Sequence, residues 1–131
     1  MTVIPVEQET PVLEPLSRSG RALMHRACGD REVQRLFATG TRVDTGTWFR
    51  GARVWVGVLP DGLALIADGP RPLVQHIAAP DLHGSLYNHV TGELILAPAA
   101  GAAVRALRID PLSAQWICAR VLRGDELPAC R

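Results

Sequence analysis

The sequence predicts a mainly β domain: seven strands closed by a C-terminal helix and preceded by a helical extension. Three observations lead there. Seven short β-type segments follow one another, most of them bounded by their own turn residues. The last runs into Asp110-Pro111, a helix start, and then an apolar stretch carrying Trp116. A chain of 131 residues is long enough for one domain with one real core.

In chain order, residues 1–11 hold two prolines and no usable periodicity, so an extended or disordered tail is expected. That tail is acidic: Glu7, Glu9 and Glu14 precede the first basic residue, Arg18. From Leu13 the apolar positions Leu13, Leu16, Leu23, Met24 and Ala27 share one helical face. Pro15 suits a first turn and Gly29 a C-terminal stop. Asp30 is then placed to cap a second short helix, with Val33, Leu36 and Phe37 on one side and Gly40 at its end. The expected organisation is therefore an acidic tail and helical extension over residues 1–38, and a β domain over residues 39–131.

The strands are expected at Thr41–Phe49, Arg53–Leu59, Leu63–Ala67, Leu73–Ala78, Leu86–Val90, Glu93–Ala97 and Val104–Ile109. In the second, Val54, Val56 and Val58 alternate with Arg53, Trp55, Gly57 and Leu59. Pro60-Asp61-Gly62 then supplies a turn, since Pro fixes φ, Asp bonds back to the backbone and Gly takes positive φ. Leu63–Ala67 reads as a buried run, and Asp68-Gly69-Pro70-Arg71-Pro72 breaks it. Thr91-Gly92 reads as a two-residue hairpin link. In the final helix, Pro111–Arg123, Leu112, Trp116, Ala119 and Arg123 follow one side, with Ile117 and Val121 widening it, and Gly124 stops it. A helix this apolar must lie against something, and an open barrel end is the obvious surface.

Four strands, then three, then a proline-started helix bearing a tryptophan resembles the pleckstrin-homology-like (PH-like) domains of bacteria. The resemblance covers roughly Thr41 to Arg123. It is carried mainly by Val104–Trp116 and by the hairpin Tyr87–Leu96. It implies a seven-stranded, bent antiparallel barrel with its C-terminal helix capping one end and an aromatic on that helix's buried side. The Asp110-Pro111 start and the apolar side shared with Leu112 and Ala119 make Trp116 the expected anchor. The resemblance also implies a non-enzymatic module that binds a protein partner or assembles with itself. In lipid-binding members, basic residues around the first hairpin loop hold phosphates. Here that loop offers only Arg50 and Arg53, so the resemblance makes these two the ligand-binding candidates and argues against phosphoinositide or membrane binding. A homo-oligomer is expected, because the apolar stripe from Leu13 to Ala27 must cover either its own barrel or a neighbour.

Other chemistry finds little footing. The net charge of +1 gives no field to gather nucleic acid, so Trp48 and Trp55 read as packing rather than base-stacking residues. All 14 basic residues are arginine and none is lysine, which suits codon bias in a GC-rich bacterial genome. The three cysteines, Cys28, Cys118 and Cys130, have no metal-ligand or redox spacing and read as free thiols. His76, His83 and His89 lie in one stretch but lack the tight local spacing of a zinc site. Ser85 and Ser113 have no nucleophile context, and Asp61, Asp68 and Asp81 sit beside Gly or Pro, where turns explain them. Arg123-Gly124-Asp125 is a coincidental tripeptide. No catalytic residue, metal or cofactor is expected. The start of the chain lacks a secretion signal and no stretch is long enough to span a bilayer, so a cytoplasmic protein is the expectation. The alternative from another class is a flavin-binding split-barrel redox enzyme, which has similar length and many short strands. A small-molecule carrier barrel is the third reading and requires a cavity.

Overall fold

The structure, a computed structural model, describes residues 11–46, 51–99 and 101–121. Seven strands form two antiparallel sheets in chain order. The first holds β1 (Arg35–Val43), β2 (Ala52–Leu59), β3 (Gly62–Ala67) and β4 (Leu73–Ala78); the second holds β5 (Leu86–Asn88), β6 (Glu93–Ile95) and β7 (Ala106–Arg108). Helix α1 (Arg18–Cys28) precedes them and α2 (Pro111–Val121) follows. The strands do not join into one closed ladder, so the expected barrel is corrected to two open sheets.

The first sheet is buried on both faces. Along β3 every residue is buried, and the period of two divides them. Leu63, Leu65 and Ala67 enter the main core, with Val54, Val56 and Val58 of β2, the second sheet and α2. Ala64 and Ile66 enter a second cluster with Leu13, Leu16, Leu23, Met24 and Ala27. The helical extension is thus a layer of its own chain's core. Its apolar stripe covers its own sheet, which removes the ground for placing it at an oligomer interface.

Helix α1 begins later than Leu13 because Ser17 makes the better N-cap: its hydroxyl accepts the Gly20 N–H at 3.0 Å. Pro15 lies outside the helix. Gly29, at φ 63°, ends it as expected, its N–H donating to His25 O. The second short helix expected after Asp30 does not form. The chain instead enters β1 at Arg35, so the proposed boundary at 38/39 falls inside a strand. Leu36 and Phe37 explain the difference. They pack into opposite clusters, Leu36 toward α1 and Phe37 toward α2. Neighbours on opposite faces suit a strand buried on both sides, not one helical stripe. The far end of the expected first strand, to Phe49, lies outside the described residues.

A bulge in β1 links the sheets. Its register against β2 shifts between Ala38 and Arg42, and there the buried Thr39 hydroxyl donates to Val54 O at 2.7 Å in place of a backbone donor. Beyond the bulge, Thr41 Oγ1 accepts the Arg108 N–H of β7 at 2.7 Å. On the other side, the Gln75 amide of β4 bridges to the β6–β7 connection, donating to Gly101 O and accepting the Ala103 N–H. The β5–β6 link is four residues rather than two. Asn88 Oδ1 accepts the Val90 and Thr91 N–H groups, and Gly92 takes the positive φ, 75°.

Helix α2 starts where expected, with Asp110 Oδ2 accepting the Ser113 N–H at 3.0 Å. Its buried side is Ala114, Ile117 and Cys118, with Val121 partly buried beside them. Of the expected apolar side, Ile117 and Val121 face the core, whereas the part built on Leu112 is corrected: Leu112 is 76% exposed. Residues 122–131, including Arg123–Asp125 and Cys130, lie outside the described residues.

Candidate functional sites

The first hairpin carries the expected ligand-binding arginines. Arg50 lies outside the described residues. Arg53 is exposed on β2, and the register sets it directly opposite Arg42 of β1, which is also exposed. Like charges directly opposite one another destabilise a ladder unless solvent or a ligand screens them. Arg42 Nη1 donates to Gly51 O at 3.1 Å. Arg42 escaped sequence reasoning because the bulge, invisible in the pattern, sets its register.

The loops below this pair are locked together. Thr45 is buried; its hydroxyl donates to Asp68 O at 2.8 Å, and its carbonyl accepts the Arg71 N–H at 2.8 Å. Gly69, at φ 153°, permits that approach, since a Cβ there would lie 2.1 Å from Thr45 Oγ1. The nearby carboxylates are occupied. Asp44 accepts the Gly46 N–H, and Asp68 accepts from the Ser19 hydroxyl and the Gly69 N–H. Among the described residues, Arg42, Arg53 and Arg71 form no ion pair.

Trp116 is only half-buried. Its ring lies 5.7 Å from Phe37 at a tilt of 56°, an attractive geometry for aromatic pairs. Two guanidinium groups lie on it as well, Arg35 at 5.0 Å and Arg120 at 5.3 Å from the ring centroid. Trp116 therefore braces α2 against β1 at the surface, and the fully buried anchor of the helix is Ile117.

The histidines do not converge, and among the described residues no cluster of three metal-ligating side chains exists. His83 Nδ1 pairs with Pro80 O, and His89 meets the Tyr87 ring edge-on. His76 Nε2 is buried without a hydrogen bond, 3.6 Å from Asp61 Oδ1. The Arg31 Nε donates to the other Asp61 oxygen at 2.9 Å, and that bond foremost holds the Asp61 carboxyl below the usual carboxylate range. This cluster ties the α1–β1 connection to the β2–β3 turn and to β4. Burial pushes the Cys28 thiol up to about 11, so it is a packing residue. Cys118 is disulfide-bonded, which corrects the expectation of a free thiol there.

A small apolar pocket with a cavity volume of about 10 Å³ lies between β3, β6 and the end of α2, lined by Leu63, Leu82, Leu94, Leu96, Ile117 and Val121 among others. Ser85 is the polar residue at its wall, and its hydroxyl already accepts the Ala97 N–H at 3.1 Å. That cavity is far smaller than the roughly 300–1,000 Å³ of typical small-molecule sites. Comparison of the chain with family models, curated proteins and solved structures finds no match.

Proposed function

We propose that the chain is a non-catalytic PH-like interaction module whose ligand is a protein, either another chain or a second copy of this one. The observation that carries the reading is the succession of a four-strand meander, a three-strand meander and a terminal helix whose Ala114, Ile117 and Cys118 pack into the core shared by both sheets. That is the element order the family resemblance implies. Three of the titratable groups have structural partners: Asp61 holds Arg31, Asp110 caps α2, and His83 binds a backbone carbonyl. Among the described residues, the exposed large apolar side chains, Leu86, Val90 and Leu112, belong to the second sheet, its hairpin link and α2. Those elements, rather than α1, are the side offered to a partner.

Light scattering combined with chemical cross-linking tests the reading. The expected result is self-association, or cross-linking to one protein partner, with links mapping to β5, its hairpin link or α2. A strict monomer that cross-links to nothing counts against it. A flavin absorption spectrum in the purified protein would replace it with the split-barrel redox reading.

A further inference from the structure

We propose that the outer stripe of α2 and the start of β1 form a docking surface for an acidic peptide segment of a protein partner. The inference rests on the interaction-module reading and gives it a surface and a partner chemistry. Leu112, Trp116 and Arg120 are spaced by four residues along α2 and so share one face of it. Leu112 is exposed, Trp116 is half-buried and Arg120 is exposed. β1 adds Arg35, whose guanidinium lies over both Trp116 and Phe37.

Stacking on an aromatic ring restrains a guanidinium and keeps its planar N–H edge available for a bidentate oxyanion contact. Two such groups flank one indole here, and each repels the other. Among the described residues neither lies within ion-pair distance of a carboxylate. The one hydrogen bond of Arg120 is long, 3.4 Å to the neutral Gln34 Oε1. The surface therefore presents two pre-oriented, uncompensated forks beside an exposed leucine and an indole. Carboxylates spaced along a peptide, with an apolar side chain between them, complement both features. A nucleic acid or an anionic bilayer would require a broad basic field, and the net charge is +1.

The test is calorimetric titration of the full chain with a capped peptide of repeated Asp-Asp-Leu units at low salt. Saturable binding is expected, weakening as salt rises. In the Arg35→Gln/Arg120→Gln double variant the affinity should fall by roughly tenfold or more, the scale of losing charge-assisted bonds. Both side chains are exposed, so the variant should melt close to the parent. Arg35→Lys/Arg120→Lys keeps the charge without the planar fork and should restore only part of the affinity. Absence of binding overturns the proposal, as does equal affinity in the parent and the Gln double variant. Tighter binding to a DNA oligonucleotide or to phosphatidylserine vesicles than to the peptide overturns it too. Equal peptide affinity in parent and variant leaves the interaction-module reading standing with a different surface. Failure of that reading would show separately, as a non-associating chain without a cross-linked partner.

Discussion

Replacing Ile117 by alanine should destabilise the fold more than replacing Trp116, although tryptophan is the larger side chain. Ile117 is 2% exposed and projects into the core between the two sheets. Its truncation removes three carbon atoms, worth about 2.4 kcal/mol of transfer free energy at ~0.8 kcal/mol each. A cavity cost is added, because the vacated space adjoins a small apolar pocket whose walls come from separate elements and cannot all collapse inward. The total should be about 3–4 kcal/mol. A fully buried tryptophan would cost about 3–5 kcal/mol, but Trp116 is half-buried and keeps mainly its Phe37 contact and two surface cations, so about 1.5–2.5 kcal/mol is expected. Urea unfolding followed by far-ultraviolet circular dichroism measures both, with unchanged slopes showing that the unfolded states are comparable. If Trp116→Ala costs as much as Ile117→Ala or more, the assignment of the buried side of α2 is wrong.

Three further outcomes follow from the same contacts. A chain beginning at Thr39 should be insoluble or unfolded by circular dichroism, because it loses the β1 residues paired to Trp55–Val58 and uncovers Ala64 and Ile66; a soluble, folded truncation would show that α1 is a mere appendage. Gly69→Ala should lower stability by about 1–3 kcal/mol in a thermal melt, since it combines an unfavourable φ with a clash against buried Thr45. Asp61 has a carboxyl pKa lowered in the folded state by the Arg31 hydrogen bond, so its stabilisation is present above the unfolded pKa of about 4 and is lost as pH falls through the folded value. Being largely solvent-exposed, the Arg31–Asp61 pair should contribute no more than about 1 kcal/mol. Asp61→Asn should therefore cost that little at neutral pH and nothing in strong acid; an undiminished cost in acid would point to packing instead.

The local sequence determined most of the elements. Leu73–Ala78 falls on β4 without adjustment, the ends of β2 and β3 differ by a residue, and the Asp110-Pro111 start of α2 is where its capping chemistry puts it. These features depend on neighbours in the chain: alternation, turn residues and caps. Tertiary structure decided what depends on covering faces and on register. Leu36-Phe37 is a short apolar pair that period alone cannot assign. It became a strand because α1 covers one face of the first sheet and α2 the other, burying Phe37 and partly burying Leu36. The β1 bulge, supported by Thr39, shifted the register and brought Arg42 opposite Arg53. Similarly, the capped helix start and the apolar side with Leu112 and Ala119 pointed to Trp116 as the buried anchor, but the rotation of α2 about its axis placed Ile117 inward and left Trp116 between two arginines at the surface. A helix with apolar residues on several sides has no single face legible from its spacing, so only the sheets it packs against could choose one.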